Sequence, residues 1–196
     1  MIKRIFDILF CLPMCIVLSP LFILIALFVK FDSRGPVFYL QERIGLNAVP
    51  FKIFKFRSMH LDADTKGLLT VGGRDPRITN VGYFLRKYKL DELPQLFNVL
   101  LDTMSLVGPR PEVKKYVEMY SQEQKRVLDV KPGITDYASI EYSNENEILG
   151  KAENPEEVYI KEVMPAKLKL NLKYIEEKGL GTDMKILFLT MKKILK

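Results

Sequence analysis

A run of apolar residues near the N-terminus, 8–29, limits the folds open to this chain more than any other stretch. As straight α-helix its 22 residues measure about 33 Å at about 1.5 Å each, just enough for a hydrocarbon core of about 30 Å. Pro13 and the Ser19-Pro20 pair interrupt it. A proline in a helix interior removes a hydrogen bond and bends the axis, and Ser19 can return its hydroxyl to a freed carbonyl. Lys3 and Arg4 precede the run and Lys30 and Arg34 follow it, so the positive-inside bias gives no direction. The simplest arrangement keeps both ends on the cytoplasmic side. It makes residues 1–34 a re-entrant helix-break-helix anchor and leaves 35–196 as one domain outside the membrane. A straight span and a buried core helix are the alternatives. A cleaved signal peptide is disfavoured, because the run is too long and no small-x-small site closes it.

The remaining composition narrows the chemistry. A net charge of +6 points to anionic partners: phospholipid headgroups, nucleotide phosphates or nucleic acid. The two cysteines, Cys11 and Cys15, both lie in the apolar run, which excludes a disulfide framework or a Cys-rich zinc site. His60 is the only histidine, so Ser-His-Asp and Cys-His catalysis, and zinc hydrolysis built on histidines, lack their parts. Carboxylates and cationic side chains are left to carry any reaction.

After the anchor the text turns to short β-like pieces. Val37 to Leu40 and the alternating Phe51-Lys52-Ile53-Phe54-Lys55-Phe56, separated by a Gly45-Leu46-Asn47 turn, predict a hairpin with a basic face. Lys55 and Arg57 are candidates to meet a phosphate or membrane headgroups, although a solvated face is the plainer reading. Residues 60–80 are polar and turn-rich, with Asp62, Asp64, Gly67 and Asp75-Pro76, and predict a surface loop. Gly72-Gly73-Arg74 lacks the rest of a Walker pattern. Residues 77–89 predict a helix with Val81, Phe84, Leu85 and Tyr88 on one face.

That helix leads into Arg86-Lys87-Tyr88-Lys89-Leu90-Asp91-Glu92-Leu93-Pro94, where two adjacent carboxylates sit between cations. Proline is tolerated in the first helical turn. With Asp91 as N-cap, Pro94 falls at N3, and Leu93, Leu96, Phe97, Leu100 and Leu101 form the apolar stripe of a helix ending near Asp102. Such a helix start offers unpaired N–H groups and a positive dipole end to a phosphate. Gly108-Pro109-Arg110-Pro111 then restricts the backbone around one guanidinium, suited to bidentate phosphate contact. Taken locally, a cap, a first-turn acid and a solvated basic face explain the same residues.

Beyond Pro111, residues 112–129 predict an amphipathic helix with Val113, Tyr116, Val117 and Tyr120 on its apolar side. Residues 155–177 predict a helix kinked near Pro165. The tail, 183–196, sets Met184, Leu187, Met191 and Leu195 near one face and lysines elsewhere. That is the pattern of an interfacial helix, and docking on the protein's own core fits nearly as well.

Leu90-Asp91-Glu92-Leu93-Pro94-Gln95-Leu96-Phe97-Asn98-Val99-Leu100, with Met104-Ser105-Leu106-Val107-Gly108-Pro109-Arg110-Pro111, resembles the core motif of the bacterial sugar transferases. These are monotopic polyprenyl-phosphate phosphoglycosyltransferases that begin lipid-linked glycan assembly. Gly35-Pro36-Val37-Phe38, Gln41-Glu42-Arg43-Ile44-Gly45, Lys55-Phe56-Arg57-Ser58-Met59 and Lys131-Pro132-Gly133-Ile134-Thr135 also match family motifs, and Ser19-Pro20 matches the family's membrane break. After Thr135 this chain departs: many relatives continue with Gly, an aromatic or Leu, Ala and Gln, where it has Asp136, Tyr137, Ala138 and Ser139, then an acidic stretch from Glu141 to Glu147. That makes Thr135, Asp136 and Ser139 candidates for donor specificity.

The resemblance implies an α+β, mostly helical fold with a re-entrant membrane helix, a small β-hairpin and interfacial amphipathic helices. It implies a sugar-1-phosphate transferase of the bacterial inner (cytoplasmic) membrane, facing the cytoplasm. The donor would be a nucleoside-diphosphate sugar, usually of uridine, the acceptor polyprenyl (undecaprenyl) phosphate, and the cofactor magnesium. Asp91 is then the nucleophile, which at an ordinary aspartate pKa near 3.9 needs no base. Glu92, with Asp91, is the candidate metal ligand, and Arg86, Arg110, Lys55 and Arg57 are candidates for the substrate phosphates. Membrane phospholipid is a further partner, and a homodimer is left open. A non-enzymatic membrane adaptor also explains anchor and charge, but gives no reason for an Asp-Glu pair among arginines. Nucleic acid is disfavoured by the membrane segment and the acidic stretch.

Overall fold

The structure is a computed structural model of the chain that describes residues 2–61, 63 and 75–194. The turn-rich residues Asp62, Asp64, Gly67, Gly72, Gly73 and Arg74 lie outside the described residues; Asp75 and Pro76 are within them.

The apolar run folds as two helices, α1 (Ile2–Val17) and α2 (Ser19–Asp32), bent by 60° at Leu18. Pro20 has no N–H to give the carbonyl of Ile16, and Ser19 Oγ donates to that carbonyl at 2.7 Å, so the break leaves no orphaned acceptor there. No single helix among the described residues is long and apolar enough to cross a membrane, whereas the bent pair qualifies by length and composition together. Ile5, Leu9, Ile16, Val17 and Phe31 stand exposed along it.

The first turns of α1 are fastened to the rest of the chain. Asp7, buried, accepts the Leu106 N–H at 3.1 Å; Cys11 Sγ lies 3.2 Å from the Leu96 carbonyl; Arg4 donates to the carbonyls of Val99 and Leu100. The bent helix pair and the rest of the chain share one core, in which Cys11, Phe22, Ile25 and Val29 pack with Phe56 and Val99. Each such side chain contributes about 1.5–3 kcal/mol on burial.

Strands β1 (Phe38–Ile44) and β2 (Pro50–Phe56) form the antiparallel hairpin, in register from Phe38↔Phe56 to Ile44↔Pro50. Thr79 caps α3 (Asn80–Lys87) by accepting the Gly82 N–H at 3.0 Å. Of the four apolar residues expected on one face of this helix, Leu85 is buried and Val81 half-buried, but Phe84 and Tyr88 stand exposed. After a 3-10 turn (Leu90–Glu92) come α4 (Gln95–Leu100) and β3 (Ser105–Val107), which pairs parallel with β4 (Gly133–Thr135).

Between those strands lie α5 (Lys114–Val117) and a 3-10 turn, Gln124–Asp129, rather than the single helix expected over 112–129. Ser121 and Gln124 exchange bonds between each side chain and the other's N–H, at 2.8 and 3.2 Å. This capping box starts a new turn where the periodicity alone would continue the old one. The remaining helices are α6 (Tyr137–Glu141), α7 (Glu145–Gly150), α8 (Pro155–Val158), α9 (Met164–Glu177) and α10 (Leu180–Ile194), with a π-turn, Tyr159–Val163, at the irregularity expected near Pro165. Their apolar faces and α5 enclose a second core around Tyr116, Tyr120, Leu149, Tyr159 and Leu168.

Helix α10 docks on the protein's own core, the second of the two arrangements its sequence allowed, and keeps an apolar face exposed. Ile186 and Asp183 are buried, Asp183 receiving Lys3 Nζ and, at 2.8 Å, the Tyr174 hydroxyl, while Met184, Phe188 and Met191 remain exposed.

Arg57, a candidate for the substrate phosphates, is engaged with the backbone instead. Its buried guanidinium donates to the carbonyls of Val29, Ser33 and Arg34 at 3.0, 2.7 and 2.6 Å, and so closes the C-terminal end of α2. Removing it strips three carbonyls of a charged donor, for a loss of about 2–4 kcal/mol. Arg57→Ala is therefore expected to lower the melting temperature in detergent while the donor KM of the folded fraction stays at the wild-type value. A donor KM raised tenfold without a change in melting would return Arg57 to the substrate.

Candidate active site

The carboxylate pair sits between α3 and α4. Lys89, in the left-handed region at φ 56°, ends α3 and throws the chain into the 3-10 turn that carries Asp91 and Glu92. Pro94 stands at the position that precedes α4, so regular α-helix begins at Gln95 and runs only six residues. Asp91 is thus not the N-cap of a long helix, and Leu101, expected on the buried stripe, is exposed. Positive charge at the site comes from side chains rather than from a helix end.

Those side chains arrive from three directions. Lys55, on β2, donates to Glu92 Oε1 at 3.0 Å, and Arg110 donates to the same oxygen. Arg86 and Lys89, from the end of α3 and the turn beyond it, act electrostatically on Asp91. Four cations therefore face two carboxylates, and both named contacts to Glu92 converge on Oε1, leaving Oε2 outside them.

Lys55 and Arg110 are each held by their own scaffold. Asn98, buried in α4, accepts the Phe54 N–H at 2.9 Å and donates to the Lys52 carbonyl at 2.8 Å, which locks β2, and hence Lys55, to the turn that carries the acids. Phe97 adds ring contacts with Phe22 on α2 and Phe54 on β2. The Arg110 loop is stitched to β4: Gly108 N–H to the Thr135 carbonyl, Gly133 N–H to the Pro109 carbonyl, both at 3.0 Å. A Cβ on Gly133 would lie 2.1 Å from the Gly108 nitrogen, so only glycine permits this approach.

Asp136 completes the loop. Fully buried, it accepts the Arg110 N–H at 3.1 Å and the Ser139 N–H at 2.6 Å. Thr135 Oγ1 bonds Thr190 at 2.7 Å, and Ser139 Oγ is buried without a hydrogen-bond partner among the described residues. Asp136 thus holds the loop of a site cation, and Thr135 ties β4 to α10. Sequence reasoning missed the supporting roles of Asn98, Gly133 and Arg43, the last paired with Glu112 at 2.6 Å just past the loop. Motif membership marked all three, but only the tertiary contacts say what each touches.

Burial acts alike on the two acids, and the cations make them unlike. Burial raises Asp91 above the ordinary aspartate range, and the adjacent Glu92 charge adds to the effect. Burial would also raise Glu92, but Arg110 and Lys55 outweigh it and hold that carboxyl well below the usual range. Burial lowers Lys55, against the pull of Glu92, and Arg110 is raised chiefly by Glu92. Among the described residues no group of three or more His, Cys, Asp or Glu side chains is placed to hold a metal. The hard oxygens of Asp91 and Glu92 suit magnesium, which is commonly held by one or two carboxylates with substrate phosphates completing the shell.

The chain is similar to known proteins along its whole length. The family model described as bacterial sugar transferase matches residues 1–196. The chain is 39% identical over 195 residues to the UDP-glucose:undecaprenyl-phosphate glucose-1-phosphate transferase of Escherichia coli K12, covering 97% of this chain and 39% of that protein. It is 36% identical over 197 residues to the UDP-N-acetylgalactosamine-undecaprenyl-phosphate N-acetylgalactosaminephosphotransferase of Aeromonas hydrophila, covering 99% and 44%. With the exopolysaccharide production protein PSS of Rhizobium leguminosarum bv. phaseoli it shares 36% over 198 residues, 97% of this chain and 93% of the relative. The chain therefore spans less than half the length of the first two relatives.

Proposed function

The chain belongs to the bacterial sugar transferase family, and from that premise we propose that it moves a sugar 1-phosphate from a nucleoside-diphosphate sugar, of UDP type, to polyprenyl phosphate at the cytoplasmic membrane. The observation that supports this reading is a buried aspartate, Asp91, beside a glutamate that Lys55 and Arg110 both hold by Oε1, with further cations at hand. Phosphoryl transfer depends chiefly on positioning and charge neutralisation, and this site is composed for both.

Before substrate arrives, Lys55 and Arg110 neutralise Glu92. A pyrophosphate entering the cluster competes for those two cations, with Arg86 and Lys89 beside Asp91 offsetting the repulsion between phosphate and nucleophile. An Asp91 oxygen attacks the sugar-bearing phosphorus in line. The bond from that phosphorus to the bridging oxygen breaks, its electron pair leaves with UMP, and an aspartyl phosphosugar remains. A phosphate oxygen of polyprenyl phosphate then attacks the same phosphorus, the bond to Asp91 breaks, and the carboxylate is regenerated as the lipid-linked pyrophosphate sugar departs. Asp91 and Glu92 are the residues that would hold magnesium, which when bound adds positive charge at the pyrophosphate. The exposed apolar faces of α1, α2 and α10 support a phospholipid surface as the place where the lipid acceptor is met.

The test is incubation of the purified protein in detergent with magnesium, undecaprenyl phosphate and a panel of UDP-sugars. UMP release that needs one donor and gives a lipid-linked product of the matching mass is expected. Membrane binding without UMP or product, for any nucleotide sugar, would favour the adaptor.

A further inference from the structure

In the acidic stretch after α6, Glu141 and Glu147 are exposed, but Glu145, the first residue of α7, is half-buried. It accepts Lys167 Nζ, from the first turn of α9, at 2.7 Å, and the two side chains keep only 25% and 15% of their surface in solvent. Charges this far withdrawn from water are weakly screened and act on their neighbours at longer range than exposed ones.

The pair borders the Arg110 loop by two routes. On one side Asp136, which accepts the Arg110 N–H, also caps α6, and α6 packs on α9. On the other, Glu112 directly follows Pro111 and accepts both Arg43, at 2.6 Å, and the Tyr159 hydroxyl. Lys167 Nζ lies 5.5 Å from the centre of that tyrosine ring, so it stands between two acids and acts on Glu112 as well as on Glu145. Glu145 in turn acts electrostatically on the Arg110 guanidinium, as Glu92 and Asp136 do.

In the proposed reaction Arg110 exchanges Glu92 for the donor's pyrophosphate. A second carboxylate that attracts the same guanidinium opposes that exchange. We propose that Lys167 is a positioning residue for donor binding: by neutralising Glu145 it leaves Arg110 open to the pyrophosphate, and Glu145 sets the donor affinity by opposing it. The inference rests on the reading that the Arg110 cluster takes the donor's phosphates. An ion pair that served the fold alone would be weakened alike by loss of either partner. Here the two losses carry opposite signs, because one unmasks an anion beside Arg110 and the other leaves a cation there.

The experiment is calorimetric titration of the full chain in detergent with UDP and magnesium, beside melting curves, for the wild type, Lys167→Gln, Glu145→Gln and the double variant. Lys167→Gln is expected to bind UDP about tenfold more weakly, Glu145→Gln about threefold more tightly, and the double variant within about twofold of the wild type. Lys167→Arg, which keeps the charge, should bind as the wild type does. Unchanged or weaker binding in Glu145→Gln overturns the proposal, as does a double variant that binds no better than Lys167→Gln. Should Lys167→Gln fail to fold, the sign of the change in Glu145→Gln still decides. A wild type that binds UDP but consumes no UDP-sugar ends the transfer reaction, while the affinities still decide the role of Lys167; a wild type that binds no UDP overturns both.

Discussion

Asp91→Asn is expected to lose on the order of 10⁴-fold or more in turnover, the scale on which covalent enzymes respond to loss of the nucleophile, and yet to melt at a higher temperature than the wild type. The two effects share a cause. Asp91 is 5% exposed, and burial together with the Glu92 charge raises its carboxyl above the ordinary aspartate value. A folded state that holds this proton more tightly than the unfolded chain loses stability as pH rises from the ordinary aspartate value through the raised one. At pH values above the raised one the cost is fully present, so the uncharged amide removes it. The gain should disappear at pH values below the ordinary aspartate pKa, where both forms of the wild type are protonated. Glu92 has the opposite sign: its depressed carboxyl contributes stability above the unfolded glutamate pKa that is lost as pH falls through the folded value. Thermal melts of wild type and Asp91→Asn across acid and neutral pH check this. Wild-type-like turnover in the variant would remove Asp91 from the chemistry, and a lower melting temperature would contradict the buried, raised carboxylate.

Arg110→Ala is expected to cost 30- to 1,000-fold in kcat/KM for the donor, roughly 2–4 kcal/mol of transition-state stabilisation, by analogy with removal of one preorganised charge-stabilising donor. Its guanidinium shares Glu92 Oε1 with Lys55, and its backbone is pinned by Asp136. Arg110→Lys should recover only part of the loss, because an ammonium keeps the charge but not the planar fork. Fold stability should change by a smaller amount, since a third of the Arg110 side chain, 32%, is in solvent and Lys55 still partners Glu92. Steady-state kinetics with varied donor, beside melting curves, separate the two effects. A loss confined to stability would make Arg110 a structural ion-pair partner.

The sequence carried the hairpin, the helix break and the central motif, because each rests on local chemistry: alternation, proline geometry and a proline-framed arginine. Ser19 returning its hydroxyl to the Ile16 carbonyl follows from what Pro20 lacks. The helix expected to start at Asp91 was misplaced because Lys89 takes a left-handed turn, which nothing in a lysine announces. Arg57 looked like a phosphate ligand because it stands two residues after Lys55. The end of α2, remote in sequence, claims it instead. Asp136 suggested donor specificity, while its contacts show it holding the Arg110 loop. Such roles depend on which backbone groups meet across the fold, and spacing along one chain does not encode them. The pairing of Glu92 with both Lys55 and Arg110 belongs to the same class, because the three come from different elements.

The central claim, that Asp91 becomes covalently phosphorylated by the donor, is tested most directly by intact mass measurement of the detergent-solubilised protein. It is incubated with magnesium and a panel of UDP-sugars in the absence of any lipid acceptor, beside Asp91→Asn. The account predicts one added phosphosugar on the wild type with one donor, and none on the variant. Lipid-linked product formed on later addition of polyprenyl phosphate, with no adduct ever present on the wild type, would contradict it and make Asp91 a metal or charge partner in a direct transfer.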